Sequence, residues 1–340
     1  MRKIAASLLV LALTGAAAFA DDATILPKGV FRARLIPSYS MTDKEFDADG
    51  EKVDTSAEGT ITTISGAFEL GVVESVTVGL KWAPGYYAMS DLTNPPLANM
   101  DEVVYTGPAD LEIGAKVQVL GEQGFVKSDA LRVALTPGFS IPLDSYDAEA
   151  EFESYQAGDP FRAATTSGHS SLGFGVKADA DYMLNKMFFL NLHGQAFYYL
   201  PSSYTTFTTV ATYYGALAAY GAATAQAVSP IEDTETAYGL EYAVEFEPHA
   251  KIAIDKKTSV NLGLPIFYSL NLADTMTYNG NETESDDATF LKVSPYVSCF
   301  TLIGPLPVEA QIQYDYPVMG TNSKSTSTLT LQLKFFGKLY

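Results

Sequence analysis

Asp110-Leu111-Glu112-Ile113-Gly114-Ala115-Lys116-Val117-Gln118-Val119 alternates in character residue by residue. Successive side chains of a strand point to opposite faces. One face therefore carries Leu111, Ile113, Ala115, Val117 and Val119, and the other Asp110, Glu112, Gly114, Lys116 and Gln118. The same split recurs at Phe31, Ala33, Leu35, Pro37, Tyr39 and Met41 against Arg32, Arg34, Ile36, Ser38 and Ser40. It returns at Leu131, Val133, Leu135, Pro137, Phe139 and Ile141 against Arg132, Ala134, Thr136, Gly138 and Ser140. A period of two sustained this far predicts long, two-faced strands.

Followed along the chain, the pattern predicts twelve strands, near 30–41, 59–73, 76–89, 110–120, 130–142, 169–183, 187–200, 237–254, 259–272, 289–301, 307–319 and 327–340. Most are longer than the roughly 5–6 residues of soluble strands and reach the roughly 9–11 that a tilted strand needs to cross a bilayer. The connections alternate in length. Segments 42–58, 90–109, 143–168, 201–236, 273–288 and 320–326 fall on one end, and 74–75, 121–129, 184–186, 255–258 and 302–306 on the other. Short periplasmic turns and long external loops belong to an even-numbered barrel with both termini in the periplasm. The expected fold is all-β: a single transmembrane antiparallel up-and-down β-barrel of about twelve strands.

The start of the chain sets its destination. Arg2 and Lys3 precede an apolar run, Ile4 to Leu13, and a small-residue stretch ending Ala18-Phe19-Ala20. That is the pattern of a secretory signal peptide, residues 1–20, with the barrel taking 21–340. No later stretch carries about 18 consecutive apolar residues, so no helical span is expected. The expected location is the outer membrane of a diderm bacterium, with outer-membrane lipid and the barrel-assembly machinery as partners. Cys299, the one cysteine, cannot form an internal disulfide and reads as a small packing residue on the apolar face.

The chain has 40 acidic and 21 basic residues. The long connections hold 24 of the acidic residues, against Lys44, Lys52, Arg162 and Lys324. Nearly all the net charge thus belongs to one rim, and its simplest reading is solvated loops kept soluble by charge. The apolar parity collects Trp82, Tyr39, Tyr182, Tyr198, Tyr238, Tyr242, Tyr268, Tyr314 and Tyr316, similar to interfacial aromatic girdles.

The opposite parity carries Arg32, Arg34, Glu69, Lys81, Asp110, Glu112, Lys116, Arg132, Lys177, Asp179, Asp181, His193, Glu241, Glu245, Lys292, Glu309, Gln311, Gln313, Asp315 and Lys334. Charges at this density need partners or water. In a barrel they line a polar lumen, as a wet channel wall or as paired ions filling the interior.

Catalytic chemistry is not expected. There is no P-loop, H-E-x-x-H, G-x-S-x-G or Cys/His cluster, and His169, His193 and His249 fall on different strands or ends. Neither a metal, a cofactor nor a nucleic-acid partner is expected. Asp47-Ala48-Asp49-Gly50-Glu51-Lys52-Val53-Asp54 lacks a ligand that a calcium loop needs before its glycine and reads as an acidic turn. The Ala-rich insert 205–229, with Tyr214-Gly215-Ala216-Leu217-Ala218-Ala219, reads as a weak surface helix at the rim or a gate over the mouth.

The closing Leu329-Thr330-Leu331-Gln332-Leu333-Lys334-Phe335-Phe336-Gly337-Lys338-Leu339-Tyr340 resembles the C-terminal signal by which outer-membrane barrels are recognised for assembly. Gly107-Pro108-Ala109-Asp110-Leu111-Glu112-Ile113-Gly114-Ala115-Lys116 and Leu26-Pro27-Lys28-Gly29 resemble outer-membrane transporters of the meta-pathway phenol-degradation family, distant relatives of the long-chain fatty-acid transporters. The fatty-acid transporters also carry an N-terminal plug. Here about nine residues precede the first strand, so a hatch of that type is not expected. The resemblance implies a channel or passive transporter for small solutes, hydrophobic ones among the candidates. The alternative is a structural or adhesive surface protein with a plugged barrel and acidic ligand-binding loops.

Overall fold

The computed structural model describes residues 22–92, 102–143, 162–163, 169, 171–207, 231–278 and 281–339. Its elements are β1 (Val30–Phe46), β2 (Lys52–Val73), β3 (Val76–Leu92), β4 (Glu102–Gly107), β5 (Leu111–Leu120), β6 (Leu131–Ile141), β7 (Arg162–Ala163), β8 (Gly173–Met183), β9 (Phe188–Tyr199), β10 (Ser202–Phe207), β11 (Ile231–Ala237), β12 (Glu241–Ala253), β13 (Ser259–Gly263), β14 (Ile266–Asn271), β15 (Thr275–Tyr278), β16 (Asn281–Glu284), β17 (Ala288–Val293), β18 (Tyr296–Ile303), β19 (Leu306–Thr321) and β20 (Ser323–Lys338).

Antiparallel pairing runs β1-β2-β3-β5-β6-β8-β9-β12, on through β13 with β14 and β17 with β18, to β19 and β20. β20 then pairs back with β1, Leu35 opposite Leu333, which closes a barrel of twelve staves. Closure leaves no unpaired edge, the condition for a sheet in lipid.

The packing is inverted relative to a soluble protein. Leu35, Tyr39, Leu135, Val176, Leu192, Val244 and Leu333 are 38–55% exposed, while Arg34, Glu69, Lys116, Lys177, Asp179 and Asp181 are only 1–6% exposed. Apolar outside and polar inside suits a lipid surround, because hydrocarbon removes the cost of the exposed apolar face. Cys299 is exposed on the outer face, as its parity requires.

Two staves are interrupted where the pattern predicts continuity. The stave at 259–272 breaks at Leu264-Pro265, and the one at 289–301 at Ser294-Pro295. Proline has no N–H to give to the ladder. Neighbouring donors bridge the gaps: Leu264 N–H to the Pro248 carbonyl at 3.2 Å, Ser294 to Pro265 at 2.8 Å, and Tyr314 to Pro295 at 3.1 Å.

Segment 42–58 is mostly strand rather than loop. β1 and β2 continue as a hairpin to Asp47–Glu51, where Gly50 takes a positive φ of 79° and Asp47 Oδ1 accepts the N–H groups of Asp49 and Glu51. Segment 320–326 likewise shrinks to a turn at Asn322, φ 49°. Beyond the lipid both faces meet water, so alternation fades and sequence pattern alone reads these extensions as loops. β10, β11, β15 and β16 form a separate four-stranded sheet from the long connections. Most of the 205–229 insert lies outside the described residues.

Candidate functional site

The inward side chains form short ionic chains. Glu69 accepts from Arg32 at 2.5 Å and lies 3.4 Å from Arg34, where β1 and β2 pair. Glu112 stands between Lys81 at 3.9 Å and Lys177 at 3.7 Å. Asp179 joins Lys116 at 3.6 Å to His193 at 2.7 Å. Arg132 bridges Glu122 at 2.7 Å and Asp181 at 3.9 Å. On the adjoining staves, Lys292 pairs with Asp315 at 2.6 Å and Lys334, opposite Arg34 in the ladder, with Glu309 at 3.1 Å. Gln311 and Gln313 link these pairs, at 3.2 Å to each other and 2.8 Å from Gln313 to Asp315. Glu241 lies 3.0 Å from His169, and Glu245 stands opposite His193 and Phe267. Each charge buried this deeply needs its partner, since an unpaired ion in a low-dielectric interior is strongly unfavourable.

Accessibility varies along the interior. Side chains of Arg34, Glu69, Lys116, Asp179 and Lys177 keep only 2–4%, against 12–20% for Arg32, Lys81, Glu112 and Arg132 beside them and 10–20% for Lys292, Asp315, Glu309 and Lys334. The driest side chains are covered in part by the segment before β1. Ala23, Ile25 and Leu26 are buried. Ala23 N–H donates to both Asp181 oxygens at 3.2 Å, Gln118 donates to the Ala23 carbonyl at 2.7 Å, and Lys116 to that of Asp22 at 2.5 Å. Leu26 N–H donates to Thr77 Oγ1 at 2.8 Å. The segment is short but lies inside the barrel, which sequence pattern does not reveal because it is a matter of lumen volume.

Gly71 makes that position possible. A Cβ there would collide with the Leu26 and Pro27 carbonyls. Gly71→Val should therefore expel the segment, seen as loss of hydrogen-exchange protection at Ala23 and Leu26 while the barrel amides stay protected. Protection unchanged at both would contradict this packing.

The inner face is not uniformly polar. Phe197, Phe267 and Phe290, with Ala243 and Ala288, are buried on the inward parity of β9, β12, β14 and β17. Lys177 sits 5.8 Å from the Phe197 ring centre and Lys292 5.2 Å from that of Phe267. The positions share the parity of His193, Glu241 and Lys292, so period-two counting could have found them.

At the end of this apolar stretch the His169 ring stacks on Tyr199, centres 3.6 Å apart, and meets Tyr238 edge-on at 4.7 Å. Tyr238 donates to the His169 carbonyl and bonds Ser202 at 2.9 Å. Tyr238 is thus a correction to the aromatic girdle: it lies between β11 and β12, where strand alternation no longer applies. Asp274, just past β14, accepts from Gly239 N–H at 2.9 Å. Burial raises its carboxyl above the ordinary value, and the Gly239 hydrogen bond opposes the rise.

All three histidines have a carboxylate partner, the third being His249 with Glu247 at 2.9 Å, joined there by Tyr296, whose hydroxyl lies 2.5 Å from Glu247. Glu247 is a buried inward residue that the sequence reading did not single out. Among the described residues no group of three or more His, Cys, Asp or Glu side chains is arranged to hold a metal ion.

No protein-family profile and no curated protein matches this sequence. Solved structures do resemble the fold. An outer membrane channel from Pseudomonas putida F1 superposes with a TM-score of 0.59 at 14% identity, over 93% of this chain and 98% of that one. A Pseudomonas aeruginosa FadL homologue superposes more loosely, at 0.41 and 10% identity, over 91% and 90% of the two chains. A mutant of the TodX monoaromatic hydrocarbon channel gives 0.44 at 9% identity, over 96% and 94%. The first likeness is one of fold: a closed β-barrel of the outer-membrane type.

Proposed function

We propose that the chain is a passive outer-membrane channel for small solutes that present apolar surface, exported by a signal peptide, with its long connections outside and its termini in the periplasm. The observation that carries this reading is the inward stretch Phe197, Phe267 and Phe290 within an otherwise charged interior. A pore serving only hydrated ions gains nothing from such rings, whereas an apolar solute finds there a surface that does not compete with water. The lumen residues named above would set selectivity, with the partly accessible Arg32, Lys81, Glu112, Lys292, Glu309 and Lys334 on the solvated path.

Expression in a porin-depleted Gram-negative host should raise uptake of labelled benzyl alcohol several-fold over empty vector. The double variant Phe267→Gln/Phe290→Gln should lose most of that gain at equal surface abundance. Uptake equal to empty vector would overturn the reading.

The segment Asp22–Leu26, with Ala23, Ile25 and Leu26 buried, favours a second reading, a plugged barrel whose acidic loops do the work. Removing residues 22–26 separates the two: a channel gains flux, whereas a barrel filled by its own ion pairs does not.

A further inference from the structure

We propose that the rim of the barrel holds a site for a protonated organic amine, with Glu241, Asn271 and Asp274 receiving its ammonium group. Resting on the channel reading, this names a substrate class for it. Glu241 and Asn271 are directly paired across β12 and β14, both on the inward parity. Asn271 is only 6% exposed, and its side-chain oxygen has no hydrogen-bond partner. A buried acceptor left unmet costs free energy unless a donor arrives. Asp274 accepts the N–H of Gly239, two residues before Glu241, at 2.9 Å.

Three acceptor groups thus sit at neighbouring backbone positions of the rim, and Glu241 has the His169 ring at 3.0 Å. Among the described residues the carboxylates and imidazole here form no metal-holding cluster. The chemistry left is an N–H donor with positive charge. Ala288 stands directly opposite Asn271, and one step toward the membrane Phe290 pairs with Ser269, both facing inward. An amine with a small apolar body places its head on the oxygens and its body on this wall. The acidic residues of the long connections, 24 against four basic, would raise the local concentration of such cations at the mouth.

The test is calorimetric titration of the detergent-solubilised full chain with benzylammonium and with benzyl alcohol, its neutral counterpart in shape. Benzylammonium should bind at least tenfold more tightly at neutral pH. Glu241→Gln and Asn271→Leu should each weaken it at least fivefold, with folding verified by heat-modifiable migration. Asn271→Leu should also raise stability, because it removes an unmet acceptor. Equal affinity for the two probes, or affinity unchanged in both variants, would overturn the site. So would stoichiometric calcium binding that both variants abolish while benzylammonium fails to bind. Binding is read without passage, so uptake of benzyl alcohol with no amine binding removes this site and keeps the channel. Amine binding without uptake does the reverse.

Discussion

Leu135→Arg should destabilise the folded barrel in lipid by about 2–4 kcal/mol, the cost of a cationic side chain at the depth of the bilayer midplane. Leu135 is central in β6, 41% exposed and on the outward parity between Val117 and Ala178. A soluble sheet with a solvated outer face would accept the arginine at almost no cost. Reversible urea unfolding in vesicles measures the difference, with Leu135→Ala as the size control. A change below about 0.5 kcal/mol, the size of an ordinary surface substitution, would mean that this face does not meet hydrocarbon.

The interior gives the second large effect. Glu69→Ala should cost about 3–5 kcal/mol, because it takes from Arg32 and Arg34 the buried carboxylate they share. The Arg34 side chain keeps only 3% accessibility, too little for water to replace the lost partner. The double variant Glu69→Leu/Arg34→Met should recover part of the loss, since replacing both partners of a buried pair is far milder than removing one. The same unfolding experiment reads both. A loss below about 1 kcal/mol would place this cluster in the regime of exposed ion pairs, and its surroundings would have to be wet.

Why the staves were legible and the interior was not follows from what each feature requires. Strands such as Leu111–Leu120 obey a local rule, one face to lipid and one to the lumen, so alternation alone locates them and sorts Lys116 from Val117. Above the lipid that rule lapses, which is why Lys44 and Asp54, paired at 2.6 Å in the hairpin extension, looked like loop residues. The proline breaks at Pro265 and Pro295 keep their staves because Pro248 and Pro265 supply carbonyls from adjacent staves to Leu264 and Ser294. That compensation is long-range.

Partner choice is long-range too. Parity put Lys116, Asp179 and His193 on one face, but only the register of β5, β6, β8 and β9 makes them one chain of contacts. The orphaned Asn271 oxygen and the burial of Ala23 depend on the closed shape of the barrel and have no local signature. The inward phenylalanines were legible in principle. Aromatic residues occupy both parities, and Lys177 beside Phe197 and Lys292 beside Phe267 mark the inner one.

The most direct test of the account is single-channel recording of the purified chain in planar bilayers, alongside a form lacking residues 22–26. The account predicts reproducible cation-preferring conductance steps that grow several-fold when the segment is removed. A folded, inserted barrel that gives no steps in either form would contradict it.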